Sequence, residues 1–539
     1  MMRTHARIAM ALGLAAGLAG CMDLEVVDEN APDRERALSE PAEVEQVIVS
    51  TFRIWYNVLH GLADVAIPFP LLADEQTNTV TQRSVQWSRE PRQPLINDPL
   101  ADQVWVPRRP WDAFNECMAS ANDGLRQIKN GMRIRTLDPG ATETQDNTDR
   151  AYVFAKLFQG ICIGYLAITM DRFAVATEDT VIPTSHEAAI EWERTHLRPW
   201  QEGLPVAIRS LEEAIERAEN GAPFLTPATW IPGQQYNNEQ IAQLAHTMIA
   251  RILIYAARTP AEREQVDWNK VLYHTERGLT YDWGPILQNG VITDPSYLAR
   301  ITNTGTSQMR ADPHLLGPAD QSGAYQAWLA KPREERNRFD IVTPDRRITG
   351  DTPTSNGAYF RYMSNNTGFD ADRGTYNFSA YQWFRRLNYG NYTNTTGHFV
   401  LASADENRLF RAEALLRTGD LDGAAALINV TRTRGVKVGS TFTESNLPPV
   451  TAAGVPEVDG QCVPRTKEGA CGTLLDALKW ERQIELTGQN PMRAWHDFRG
   501  FGQLQPGTPL HMPVPARYLV QLNIPLYTFG GVGNPGSAE

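Results

Sequence analysis

The chain has 539 residues, 42% of them hydrophobic and 21% charged, with a formal net charge of −12. That length allows a large core and more than one subdomain, and the composition excludes a disordered chain. The acidic balance argues against nucleic acid as a partner, because that binding draws on clustered Lys and Arg.

Arg3 and Arg7, an apolar run over residues 8–18, and then Leu18-Ala19-Gly20-Cys21 read as a lipoprotein signal peptide spanning 1–20. The run is too short to cross a bilayer, and a buried cytosolic helix would not account for small residues set directly before a cysteine. Cys21 is therefore the expected lipidation site, acylated on its thiol and amino group. At roughly 0.8 kcal/mol per buried CH₂, more than one acyl chain gives lasting membrane attachment. Residues 21–41, acidic and Pro-containing, form the acylated tether.

Residues 42–281 read as an N-terminal helical repeat region. A first helix is predicted over 42–62, with Val44, Val47, Ile48, Phe52 and Trp55 as its inner stripe. A long loop, 73–110, follows; its polar part carries Asp74, Asn78 and Trp87 among Arg83, Arg89 and Arg92. Loops of that length in folded domains are usually functional or mobile. Helical pairs are predicted over 111–128 with 149–169, and over 204–220 with 238–258, with a shorter helix at 268–279 standing on its own. Gly160 and Gly164 would let the second of these helices approach a neighbour closely. Cys117 and Cys162 fall on apolar helical positions and are expected as buried thiols, with a disulfide between them the alternative if their helices are neighbours.

Between 282 and 400 the texture changes to Gly, Asn, Thr and aromatics, which reads as a loop-rich insert with short strands near 358–363 and 381–387. Trp87, Tyr325, Trp328, Tyr359, Tyr362, Tyr376, Tyr381 and Trp383 lie in loop-rich segments and not at helical core spacing. A flat ring can stack on a sugar face while Asn, Asp and Arg fix orientation. For any one ring, gluing a loop to the frame is favoured at about two in three, with one or two of the set left for a ligand. Asp370 and Asp372 have a calcium-loop spacing, but without a closing Glu a solvated turn is favoured about four to one. No Walker loop, G-x-S-x-G or H-E-x-x-H motif is present, so no catalytic residue, metal ligand or cofactor is assigned. The glycine pattern at 531–536 matches a dinucleotide fingerprint in letters only, because Pro535 and the chain end leave no helix after it.

The C-terminal part, 401–539, contains the clearest unit. Over 405–435, Leu409, Ala412, Glu413 and Leu416 share one helical face, Gly419 suits a helix end, and Asp420 suits the next helix start. Ala424, Ala425, Leu427 and Ile428 face inward on the second helix. Such a hairpin is like one unit of a tetratricopeptide-type repeat and needs partner hairpins to bury its apolar face. Cys462 and Cys471, in a Pro/Gly-rich loop of an exported protein, are expected to form a disulfide.

The run RAEALLRTG, then IN and R-x-RG, followed some forty residues on by ERQIELTG and R-x-WHDFRGFG, resembles the C-terminal signature of the SusD/RagB family. These are starch-binding-like outer-membrane lipoproteins of nutrient uptake. The departures are Gln489-Asn490-Pro491-Met492 ahead of Arg493, and Asn523-Ile524-Pro525 near the end. The resemblance implies a mostly α, SusD-like fold: a tetratricopeptide-like hairpin scaffold with a loop-rich insert. It further implies a lid for a SusC-like TonB-dependent transporter that binds a glycan, an oligosaccharide or a peptide. The acidic residues after Cys21 are similar to surface-export signals of Bacteroidetes-type lipoproteins, which implies the extracellular face of the outer membrane. Family binding surfaces map here to the region of Asp74, Asn78, Arg83 and Trp87 and to the insert with Tyr325, Trp328, Tyr359 and Tyr362. The expected function is therefore cargo binding without turnover. The rival readings are a periplasm-facing protein-binding scaffold and a polysaccharide hydrolase using carboxylates such as Asp74 and Glu75.

Overall fold

The computed structural model describes residues 37–61, 65–78, 87, 90–101, 105–287, 309–364, 379–385 and 397–539. Cys21, Arg83, Asp370, Asp372 and Tyr376 lie outside the described residues.

A ladder of antiparallel helices carries the chain: α1 (Pro41–His60), α2 (Pro68–Leu72), α3 (Trp105–Lys129), α4 (Thr148–Thr169), α5 (Trp200–Asn220), α6 (Asn238–Ala256) and α7 (Trp268–Glu276). After the insert and its short helix α8 (Ala324–Ala330), the ladder resumes with α9 (Ala404–Thr418) and α10 (Leu421–Arg432). Apart from short α2 and the insert, each helix packs on the next, so α7 is not isolated but sits between α6 and α9. This is the expected mostly α, tetratricopeptide-like scaffold with few, short strands.

Local chemistry explains the ladder. On α1, Val44, Ile48, Phe52 and Trp55 are buried, the one-sided stripe that a helix buries against its neighbour. Helix α4 is the only described helix long and apolar enough to cross a membrane, and it is buried inside the ladder as a core helix. A Cβ on Gly160 would lie 2.6 Å from Leu211 Cγ and 2.8 Å from the Ala207 carbonyl oxygen, so glycine sets how closely α4 meets α5. The hairpin of α9 and α10 turns at Gly419, whose φ of +94° is a left-handed cap. Ser403 and Asp420 accept from the backbone N–H groups of Glu406 and Gly423 at the two helix starts.

The expectation of free thiols at Cys117 and Cys162 is corrected: they form a disulfide joining α3 to α4, with Cα atoms 6.1 Å apart. Periodicity placed each cysteine inward, but it carries no information on whether two inward faces meet at one height. Cys462 and Cys471 are likewise bonded, across Cα atoms 5.6 Å apart.

Short strands pin the insert to the frame. β1 (Gln76–Asn78) pairs antiparallel with β2 (Met309–Ala311), Gln76 opposite Ala311. β3 (Phe360–Tyr362) pairs with β4 (Tyr381–Trp383), Phe360 opposite Trp383.

The signature segments form α11 (Leu474–Leu486) and α12 (Arg493–Phe501), and their charged residues are buried. Glu413 of α9 accepts from Arg263 at 2.6 and 2.8 Å and also from Arg482, which in turn holds Asp497. Arg493 reaches across to Glu75. A second cluster centres on Arg347, which pairs with Asp345 at 2.7 Å, Glu481 at 2.7 Å and Glu485 at 3.0 Å. Arg499 donates at 2.6 Å to the carbonyl oxygens of Ile168, Tyr255 and Leu510, satisfying the last turns of α4 and α6. The residues that carry the family resemblance thus hold the frame together.

Candidate functional site

A cleft of about 380 Å³ opens where the segment after α2, the insert, the Cys462–Cys471 loop and the end of α12 converge. Asp74 and Tyr325 line it, so the structure brings together one expected residue from each of the two expected regions. The others arrive through Thr466, Lys479, Gln483, Gln503 and Gln505, with the rings of Trp480, Phe498 and Phe501 as apolar wall. Phe501 is the half-exposed ring; the other two are buried.

Asp74 is held unusually. Its φ is +50°, the left-handed region that non-glycine residues seldom adopt and that clusters at functional sites. Its carboxylate pairs with Arg92 at 2.7 Å, and Arg92 also donates to the Trp87 carbonyl oxygen and to Thr508 Oγ1. Burial, aided by the nearby Asp312 charge and opposed by Arg92, raises the Asp74 carboxyl to about 6.

Asp312 accepts at 2.6 Å from Thr77 Oγ1, at 2.9 Å from the backbone N–H of His314 and at 2.7 Å from His314 Nδ1. The other ring nitrogen, Nε2, lies 3.1 Å from Gln505 Nε2. Desolvation pushes the His314 imidazole down, but the bond to Asp312 and the charges of Asp312, Asp74 and Glu90 outweigh it and raise its pKa.

Two side-chain atoms on the cleft wall are buried without a partner among the described residues: Thr466 Oγ1 and Gln503 Oε1. Buried polar atoms are usually paired; these two lie just beneath the cleft surface, where a water, or a ligand that displaces the side chains covering them, can supply the missing bond. Thr466 stands inside the disulfide ring, and Arg465 fixes that ring by bonds to Gln321 at 2.9 Å and to the Gly469 and Gly460 carbonyl oxygens at 2.8 Å.

The expected aromatic surface is corrected. Trp87, Tyr325, Trp328 and Tyr359 are all under 10% exposed, and Tyr381 and Trp383 are buried with them. Trp328 packs edge-on to His314 at 5.1 Å and lies under Arg336 at 4.4 Å. Tyr359 does not line the cleft: its hydroxyl donates to Glu485 at 3.0 Å and its ring lies under Arg385 at 3.9 Å. Tyr362 alone of the four insert rings is half-buried, with its hydroxyl on Asp340 at 3.1 Å. Loops laid on a helical frame bury these rings, and a cation lies over Trp328 and over Tyr359. Asn78 lies in β1 opposite Met309. His314, Thr466, Gln503 and Gln505 were not singled out from sequence; the nearest signal was the position of Gln503 and Gln505 just after the WHDFRGFG run.

No family profile matches the sequence, and no curated protein matches it. Solved structures do. A SusD superfamily protein from Bacteroides thetaiotaomicron superposes with a TM-score of 0.54 at 12% identity, covering 89% of this chain and 96% of that one. A SusD superfamily protein from Bacteroides vulgatus gives 0.53 at 12%, covering 90% and 97%. A SusD homolog from Bacteroides thetaiotaomicron gives 0.53 at 13%, covering 90% and 97%. At such identities the likeness establishes the fold, which is of the SusD type.

Proposed function

Taking the SusD-type fold as premise, we propose that this chain is a non-enzymatic, lipid-anchored outer-membrane protein on the extracellular face. It binds a glycan or oligosaccharide in the cleft and passes it to a SusC-like TonB-dependent transporter as that transporter's lid. The single observation that carries the binding half is the pair of unpartnered buried atoms, Thr466 Oγ1 and Gln503 Oε1, beside the half-exposed Phe501 ring. Hydroxyl-rich ligands supply hydrogen bonds at such atoms once the side chains covering them shift, while their C–H faces suit an aromatic ring. The two carboxylates a hydrolase would use do not face a shared opening as free acids: Asp74 is held by Arg92 and Glu75 by Arg493. That favours capture over turnover. The anchor at Cys21 rests on the signal sequence.

Calorimetry against a panel of neutral and acidic oligosaccharides and a peptide library tests the cleft. The expected result is saturable binding of a saccharide with no product released. Binding of peptides alone would move the ligand class, and turnover abolished in Asp74→Asn would replace the binding reading with a hydrolase. Isolation from native membranes tests the partner half: a TonB-dependent barrel should co-purify, and recovery of the chain alone would count against the lid role.

A further inference from the structure

The two nitrogens of His314 are fixed by different partners. Nδ1 faces the Asp312 carboxylate at 2.7 Å, which can only accept, so Nδ1 carries a proton. Nε2 faces the Gln505 side-chain amide nitrogen at 3.1 Å, which can only donate, so Nε2 is the bare, accepting nitrogen. One amide group has two ends. With its nitrogen committed to His314, Gln505 presents its carbonyl oxygen, and Gln505 lines the cleft. Among the described residues no side chain donates to that oxygen. Gln503 Oε1, on the same wall, is likewise an acceptor without a partner.

We infer that His314 is a positioning residue: its neutral ring holds the Gln505 amide with the carbonyl oxygen toward the cleft, so that the cleft selects neutral, hydroxyl-bearing sugars over carboxylate-bearing ones. The inference rests on the glycan-binding reading of the cleft and names the class of glycan. A hydroxyl can donate to both glutamine oxygens, whereas a carboxylate can donate to neither and would leave acceptors facing acceptors. Protonating His314 places a hydrogen on Nε2 against the Gln505 amide hydrogens. The amide must then turn, giving its oxygen to the ring and its N–H groups to the cleft. The preference for neutral sugars therefore falls on acidification.

The charges around the ring fix where this happens. Asp312 bonds it, Asp74 and Glu90 act on it from the segments after α2, Arg92 is tied to Asp74, and Arg336 covers Trp328 and pairs with Glu90. Arg465, Lys467, Lys479, Asp476 and Glu468 line the same cleft. The carboxylates nearest the ring favour its protonated form and lift its titration above the ordinary histidine value. The sign follows: the neutral, acceptor-presenting state holds above that titration and is lost below it.

The experiment measures the affinity of maltohexaose, cellohexaose, xylohexaose, hexagalacturonate and fully methyl-esterified hexagalacturonate at about pH 8 and about pH 5.5. The expected ratio of neutral to carboxylate affinity drops about tenfold between the two, the size of one acceptor–acceptor clash relieved. Asp74 lines the same cleft and titrates in the same range. The drop is therefore read in Asp74→Asn, where it should persist, and against the Asp74→Asn, His314→Gln double variant, in which the ratio should stay flat. A ratio that is flat in the wild type or in Asp74→Asn, or that drops equally in the double variant, overturns the inference while leaving glycan binding intact. If no sugar binds at either pH, the glycan reading itself fails. Nitrogen-15 NMR of the histidine rings in the wild-type protein decides the remaining point without a ligand. A His314 ring bearing its proton on Nδ1 at about pH 8 supports the assignment, and one bearing it on Nε2 overturns it.

Discussion

Arg263 grips Glu413 with two parallel bonds, 2.8 Å from Nε to Oε1 and 2.6 Å from Nη2 to Oε2, and neither side chain has any exposed surface. Glu413 belongs to the hairpin of α9 and α10, and Arg263 to the short helix Pro260–Glu264 between α6 and α7, 150 residues earlier. One bidentate pair therefore closes the helical ladder across the insert. Removing one partner leaves a buried charge unpaired. Glu413→Ala should cost about 3–5 kcal/mol of unfolding free energy, read from urea denaturation, whereas exposed pairs such as Arg194 with Glu191 should contribute under about 1 kcal/mol.

Stability should depend on pH with two opposite signs. Burial pushes the carboxyls of Glu413, Glu485 and Asp345 up, but arginine partners outweigh it and leave all three lowered. A carboxyl lowered on folding stabilises above its unfolded value. Their contribution should therefore be full above about pH 4.5 and lost as pH falls below it. Asp74, raised to about 6, works the other way and should remove stability as pH rises from about 4 to about 6. Glu75, Asp171 and Glu193 are raised in the same direction by burial. In thermal melts Asp74→Asn should therefore show a shallower second slope than the wild type, with the acid-side slope unchanged.

The two disulfides should separate in function. Cys117–Cys162 ties α3 to α4 away from the cleft, whereas the Cys462–Cys471 ring carries Thr466 on the cleft wall. Replacing either pair with serine should cost about 2–4 kcal/mol. Only the 462/471 double variant should also weaken saccharide binding, which calorimetry on both folded variants would show.

Thr466→Val and Gln503→Met replace unpartnered buried atoms with apolar groups of similar shape. Such exchanges are neutral or stabilising where no bond is lost, so the melting temperature should hold or rise. Ligand affinity should fall about tenfold per site. Unchanged affinity with a raised melting temperature would mean these atoms serve no ligand.

What sequence could show was local. The hairpin around Gly419, its capping residues, the inner stripe of α1 and the loop cysteines are each written within a few dozen residues, at spacings that geometry dictates. The signature run pointed to the fold through its resemblance to the SusD/RagB family, and its Glu413, Glu481, Arg482, Arg493, Asp497 and Arg499 are all buried, in ion pairs or against helix-end carbonyl oxygens. The cleft was only half legible. Asp74, His314, Thr466 and Gln503 come together from four distant segments, and no periodicity links them. The rings follow the reading favoured for each of them singly, since Tyr325, Trp328 and Tyr359 each pack under the frame or a cation; which ring would be left for a ligand is not written in loop position. The Cys117–Cys162 bond was missed because pairing depends on helix register across 45 residues.

The most direct test is a crystal structure of the wild-type protein with the tightest-binding neutral oligosaccharide of the panel. The account predicts sugar hydroxyls within hydrogen-bond distance of Thr466 Oγ1 and Gln503 Oε1, with a sugar face against Phe501. A saccharide seated elsewhere, with those two atoms still unpaired, would contradict it.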